Sequence, residues 1–386
     1  MGVRFGVLST YPPTQCGIAT FARALVTQLS RTGAHVGVVR VVDARQVQVL
    51  PTVQQWQRGN PWSTDAAARA LDDYDVVIVQ HEYGIFGGAD GEDVVDLVRR
   101  LRVPVISVLH TVLTHPTPHQ FEVLADLVDA STALVTMTET ARDRLVAGWG
   151  VHPDRVTVIP HGAHDSRPAA RAHADPLARP TMLTWGLLSE GKGIEWALLA
   201  LAELKGTTPL PLYRVVGRTH PKVLERDGEA YRSRLVAMTR DLGLAADVEF
   251  DDRYLTQAQL ASTIASADLV LLPYDSLEQV TSGVLTEAVA AGRPVVSTSF
   301  PHAVELLGSG AGILVPQSDP EALAHALRRV LTEPGLAASM ARSSRGLTES
   351  LLWPTVARRY VELGRSLLAR GAAPAPRLTL PERTAV

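Results

Sequence analysis

Residues 276–287 read SLEQVTSGVLTE and run on through AVAAGRPVVST. Upstream, Asp268-Leu269-Val270-Leu271-Leu272-Pro273 is a short apolar run suited to a buried strand, and downstream Pro294-Val295-Val296-Ser297-Thr298 is another. The segment between them then forms the turn and helix of a βαβ unit, outside the carboxyl end of its first strand. Ligands bind at that position in open α/β sheets. Gly283 lets a ligand approach the backbone, and the first amides of the helix offer positive partial charge. Glu287 lies one turn inside, too deep to compete for those amides, so its carboxylate is available to hydroxyl donors. The combination suits a phosphate attached to a ribose. An ordinary capped helix bearing a surface glutamate accounts for this segment equally well.

The wider chain supports the α/β reading. Its 386 residues exceed one ordinary hydrophobic core and imply two domains of similar size. Hydrophobic content of 46% with 20% charged residues belongs to a soluble globular protein, and a net charge of −3 gives no case for nucleic acid. A single cysteine, Cys16, excludes an intrachain disulfide and a thiolate zinc cluster. No stretch approaches the roughly 20 apolar residues of a transmembrane helix. The opening MGVRFGVLSTY runs straight into a strand without a basic leader, which makes the cytoplasm the expected location.

Apolar runs alternate with helix-length segments throughout, the grammar of parallel sheets covered by helices. The first half offers strands at 4–9, 35–42, 76–80, 103–109, 132–136 and 156–159, with helices at 18–31, 92–100 and 139–147. Residues 163–180 carry three prolines and no sustained periodicity, and read as a linker. Strands resume at 181–185, 212–216, 248–250, 269–272, 295–297 and 313–315, accompanied by helices at 194–203, 230–242, 257–265 and 320–331. Two Rossmann-like domains facing across a cleft are expected, at 1–175 and 176–352. A helix over 353–370 is expected to pack back on the first domain by fold analogy, followed by a flexible proline-rich tail over 371–386.

Chemistry-bearing residues gather where strands end. After the first strand, STYPPTQCGIAT places Gly17 before an amphipathic helix, without the Gly-x-Gly-x-x-Gly of a dinucleotide turn. Gly17 either meets a ligand or eases a tight turn, and Cys16 reads as a small filler. After the third strand, His81-Glu82 in QHEYGIFGG offers an imidazole and a carboxylate able to orient one another. His110, His115 and His119 in HTVLTHPTPH tempt a metal reading, but intervening prolines disfavour a ligand-bearing helix; His110, donating to a polar substrate, is the better candidate. His161 in IPHG suits a ligand site or a structural role near the domain junction. In the second half, WGLLSEGKG sets Lys192 at a helix start, where an ammonium can meet phosphate oxygens. Its plainer reading is an exposed lysine. VGRTHP adds Arg218 as a second cation. Arg99, Arg100 and Arg102 form a short basic patch that leaves peripheral membrane contact open.

The WGLLSEGKG, SGVLTEAVAAGRPVVST and IPHG segments resemble the retaining glycosyltransferases of family four, over nearly the whole chain from Arg4 to about Ala369. The resemblance implies a GT-B fold, a nucleoside-diphosphate hexose donor (UDP- or GDP-linked, glucose or mannose leading) and a carbohydrate or small hydroxyl acceptor. No cofactor and no metal are implied. Glu287 matches the second glutamate of the family's Glu-x7-Glu pair, whereas Gln279 stands at the first, beside Glu278. Gly186-Leu187-Leu188 lacks the family's phosphate-facing arginine, a gap Arg218 would fill, while Lys192-Gly193 remain. By resemblance the first domain admits the acceptor and the second binds the nucleotide: Glu287 holds ribose hydroxyls, and Lys192 with the Ser282, Gly283 and Val284 amides holds the pyrophosphate. Gln279 addresses the transferred sugar, His110 its hydroxyls, and Gly17 lies near phosphate and acceptor. A nucleotide-sugar epimerase and a catalytically weak nucleotide-sugar-binding protein are the competing readings. Oligomeric state has no signal in the sequence.

Overall fold

The structure, a computed structural model, describes residues 2–167, 179–206 and 210–371. The chain divides into two compact units, Met1–Gly162 with Trp353–Val386, and Ala163–Leu352. The first domain therefore ends at Gly162 rather than at 175. Ala163 is already fixed in the second unit, donating its amide to Leu351 O at 2.8 Å and bridging to Leu352. Of the expected linker, residues 168–178 lie outside the described residues, as does the expected tail from 372 onward.

The first unit is a seven-stranded sheet of β1 (Arg4–Ser9), β2 (His35–Val42), β3 (Thr52–Gln57), β4 (Val76–His81), β5 (Val105–Leu109), β6 (Ala133–Thr136) and β7 (Val156–Val158). Its order is β3-β2-β1-β4-β5-β6-β7, and every pairing is parallel. The central strands β4 and β5 are buried along their whole length, which explains why they are largely apolar. One face carries Phe5, Val7, Ile78 and Val108 against the Gly17–Arg31 helix. The Trp353–Ala369 helix completes that core with Trp353, Val356 and Tyr360, so the chain returns to its first sheet at the end.

The second unit holds six strands, β8 (Thr181–Trp185), β9 (Leu212–Val216), β10 (Val248–Asp251), β11 (Leu269–Leu272), β12 (Val295–Thr298) and β13 (Gly312–Val315). They run β10-β9-β8-β11-β12-β13, again all parallel. Both faces are covered by apolar clusters, one around Leu198, Tyr213 and Leu327, the other around Leu272, Tyr274 and Leu285. In each sheet the strand order reverses once, between β1 and β4 and between β8 and β11. A doubly wound sheet opens a ligand crevice at the carboxyl ends there.

Elements absent from the strand-and-helix expectation are β3 and the helices Pro61–Asp72, Pro118–Ala130, Pro221–Asp227, Pro301–Leu307 and Leu336–Leu351. The prolines of HTVLTHPTPH do not prevent a helix: Pro118 takes its first position behind a Thr117–Gln120 capping box, where no amide is lost.

Candidate active site

In the second unit the loops leaving β8, β9 and β11 bring together most of the predicted donor residues. Leu188 N donates to Arg218 O and His220 N to Leu188 O, both at 2.8 Å, zipping the first two loops together. Two glycines make this approach possible. Gly217 has φ 141° and a Cβ there would stand 1.9 Å from Gly186 O; Gly193 has φ 63° and its Cβ would stand 1.8 Å from Pro273 O. Neither position admits a side chain without moving backbone.

Lys192 sits directly before Gly193, the cap of the Ile194–Leu204 helix. Its Nζ rests over the Tyr274 ring, 4.2 Å from the centroid, rather than on a carboxylate. Burial pushes the ammonium down to about 8. The exposed-lysine reading is thereby replaced: this is a half-desolvated cation balanced by an aromatic face, and an anion would stabilise it. Arg218 projects from the adjoining loop and is exposed.

The Gly283–Ala290 helix starts beside them. Ser282 caps it, Oγ accepting from Leu285 N at 3.2 Å. The Ser282 amide, expected to hold phosphate, is instead committed to His302 Nδ1 at 2.8 Å. A buried amide takes the nearest acceptor, so the Gly283 and Val284 amides of the first helical turn remain for a ligand. Gln279, eight positions before Glu287, folds its Nε2 back on to Thr281 O at 3.2 Å.

Glu287 is not a surface glutamate: it is 9% exposed. Its carboxylate accepts from His164 N at 3.2 Å to both oxygens, and His164 Nδ1 lies 3.0 Å from Oε1. His164 and His302 were not legible as site residues. They reach their partners across 123 and 20 residues of sequence, and no local pattern marks either.

In the first unit, Gly17 opens its helix behind Cys16, whose Sγ accepts from Ala19 N at 3.3 Å. Cys16 is thus a helix cap rather than mere filler. Gly17 is exposed, its φ is not in the left-handed region, and an added Cβ would meet nothing within 4 Å. The tight-turn explanation of this glycine therefore fails. His110 follows β5 with its ring edge-on to Phe21, centroids 4.8 Å apart. Its Nε2 lies 2.7 Å from Gln80 Oε1, an acceptor, so Nε2–H donates to Gln80 and Nδ1 is left with its lone pair. Burial, then the neighbouring His161 and His81, push the ring down to about 3. His110 is therefore neutral at neutral pH, and its Nδ1 lone pair is suited to accepting a hydrogen bond rather than to the donation expected from the sequence.

His81 and Glu82 do not orient one another. His81 is fully buried between Tyr83 and Phe86 and pushed down to about 4 by burial, while Glu82 accepts from Thr111 Oγ1 and Tyr83 N. His119 pairs with Asp90 at 2.9 Å and Glu92 at 3.2 Å. His161 packs on Phe21 and Trp353. The basic patch is neutralised by aspartates: Arg99 with Asp126, Arg100 with Asp65 and Asp96, and Arg102 with Asp72. No helix among the described residues is long and apolar enough to cross a membrane.

Comparison with known proteins follows the same division. Residues 16–167 match the model of Glycosyltransferase Family 4, and residues 179–333 that of Glycosyl transferases group 1. A glycogen synthase of Mycobacterium tuberculosis is 28% identical over 258 residues, 66% of this chain and 59% of that protein. A D-inositol 3-phosphate glycosyltransferase of Acidothermus cellulolyticus is 30% identical over 258 residues, 64% of this chain and 55% of the relative. The matched stretch thus spans little more than half the length of these curated relatives. Among solved structures, the Anabaena protein HepE in complex with UDP and glucose superposes with a TM-score of 0.74 at 17% identity, covering 95% of this chain and all of that one. Sucrose-phosphate synthase from Thermosynechococcus elongatus gives a TM-score of 0.78 at 19% identity, covering 96% of this chain and 100% of the other. The chain belongs to the family-four-like glycosyltransferases and has the GT-B fold.

Proposed function

We propose that this protein is a cytoplasmic, retaining hexosyltransferase that uses a nucleoside-diphosphate sugar and requires no metal or other cofactor. One observation carries the reading. In a single unit, Lys192 lies desolvated on Tyr274, the glycine-tight loops bear Arg218, and the Gly283 and Val284 amides open a helix holding buried Glu287. The ribose hydroxyls donate to Glu287, and the pyrophosphate lies against Lys192, Arg218 and the two amides.

When the bond between the anomeric carbon and the phosphate oxygen breaks, negative charge grows on the departing nucleoside diphosphate. Lys192 and the helix-start amides stabilise that charge more in the transition state than in the ground state, which is what accelerates the step. The acceptor hydroxyl forms the new bond on the face the leaving group vacates, and its proton passes to the departing phosphate oxygen. Gln279 contacts the transferred sugar through its amide. In the first unit, neutral His110 accepts from a substrate hydroxyl, and Gly17 leaves its helix start open to a ligand. Among bases, uridine has the support of HepE, solved with UDP; glucose is the first hexose to try for the same reason.

The test is transfer itself. With UDP-glucose and a panel of polyol, sugar-phosphate and glucan acceptors, the purified protein releases UDP in step with a glycosylated product of retained configuration. Donor binding without transfer to any acceptor supports the weak binding-protein reading instead, and an epimerised donor with no acceptor product supports an epimerase.

A further inference from the structure

Arg40, Ser9 and Gln80 form one row across β2, β1 and β4. Ser9 is in register with Arg40, and the Leu8–Val79 pairing sets Gln80 alongside Ser9. Alternate strand residues share a face, so all three continue the face bearing Phe5, Val7, Val38, Val76 and Ile78. At the carboxyl end of that core, where the apolar alternation would place three more hydrophobic residues, stand a guanidinium, a hydroxyl and an amide. Arg40 is 2% exposed, and Ser9 and Gln80 are 0% exposed.

Their donors are poorly used. Arg40 Nη2 donates to Thr14 Oγ1 at 3.1 Å and to Gln46 Oε1 at 2.6 Å, both neutral oxygens. Arg40 Nε, Ser9 Oγ and Gln80 Nε2 have no hydrogen-bond partner among the described residues. A buried guanidinium without a counter-charge is unfavourable, and leaving neighbouring donors unpaired adds to the penalty. Thr14 links the row to the loop that enters the exposed Gly17 helix start. At the other end Gln80 Oε1 accepts from His110 Nε2 at 2.7 Å.

We infer that this row is an anion subsite for the acceptor, taking a phosphate or carboxylate on Arg40 with Ser9 and Gln80 as neutral donors. The inference rests on the first unit receiving the acceptor. The incoming anion displaces the Thr14 and Gln46 oxygens from Arg40, exchanging neutral acceptors for a charged one. The β2 and β5 backbones are three strand spacings apart, roughly 14 Å, which the reach of the arginine shortens. The acceptor class is therefore a small polyhydroxyl compound bearing one anionic group, which sits at Arg40 while a hydroxyl reaches the His110 end.

Titration calorimetry with inorganic phosphate, and separately with malonate, in saturating UDP tests this. The wild type binds one of the two, and which one identifies the anion. Arg40→Met lowers that affinity at least tenfold while leaving UDP affinity and Tm near wild type. Should Arg40→Met fail to fold, Arg40→Lys keeps a charge but loses the Nε donor, and weakened anion binding in it supports the subsite. Unchanged anion affinity in the folded variant overturns the proposal, as does a wild type that binds neither probe. Phosphate that binds only in the absence of UDP also overturns it, because the anion then occupies the donor site. Failure of UDP to bind at all removes the UDP-sugar donor of the proposed function, whereas UDP binding without an anion site removes this inference alone.

Discussion

The two sheets run in the same strand order and differ in what stands at their carboxyl ends. The second sheet ends in positive-φ glycines, a capped helix start and one desolvated lysine. The first ends in a buried row of arginine, serine and glutamine beside a neutral histidine, with an exposed glycine above a helix. One edge is built from backbone brought close together and suits a diphosphate. The other is built from side chains and suits hydroxyls and a fixed anion. A shared fold thus supplies two crevices, and the loops decide the chemistry of each.

The largest expected effect falls on the second edge. Lys192→Ala lowers kcat by about 10²–10³, the range for losing one preorganised donor to a developing charge, with Tm little changed. Arg218→Ala alone does less, and the double variant is worse than either single one without being additive, since both cations serve one pyrophosphate. Steady-state transfer kinetics on the four proteins measure this. A full kcat in Lys192→Ala and in the double variant would break the contrast between the edges.

Next comes a comparison of glycines. Gly217→Ala loses about 1–3 kcal/mol of stability from the strained backbone alone, and more where the Cβ presses on Gly186 O. Gly17→Ala leaves Tm unchanged, because no conformational or packing demand exists there, yet weakens transfer. Chemical denaturation and transfer assays on the two variants sharpen the comparison. A stability loss in Gly17→Ala would return that glycine to a structural role.

Ionisation separates the edges further. Lys192 is charged below about 8, so UDP affinity falls as pH rises through 8, and the Lys192→Ala variant shows no such fall. In the first unit, His110 and His81 have folded values of about 3 and about 4 against an ordinary 6.5. The unfolded chain binds more protons in that window, so their stabilisation is complete above pH 6.5 and is lost as pH drops towards 4 and 3. Tm measured from pH 7 to 4 falls for the wild type and falls less for His81→Leu.

Much of this was legible from local pattern. Continuous apolar runs such as VVIV and LVLL mark strands because a parallel sheet buries both faces. β3, TVQQWQ, escaped because it is an edge strand with only Thr52 and Trp56 buried, so its sequence carries no apolar run. Lys192 and Glu287 could be found because a strand end followed by a glycine and a helix start is a local signal. Their surroundings could not. The Tyr274 face, the His164 clasp and the His302 hold on the Ser282 amide are tertiary contacts, and they decide which cation is desolvated and which amide is free.

The central claim is that nucleotide belongs to the carboxyl edge of the second sheet. Equilibrium dialysis of UDP against wild type, Glu287→Gln and His110→Ala tests it most directly. The account predicts that Glu287→Gln loses about 1.5–3 kcal/mol of binding, the worth of hydrogen bonds to a charged group, while His110→Ala binds UDP as the wild type does. Unchanged UDP affinity in a folded Glu287→Gln protein, or a loss confined to His110→Ala, would contradict it.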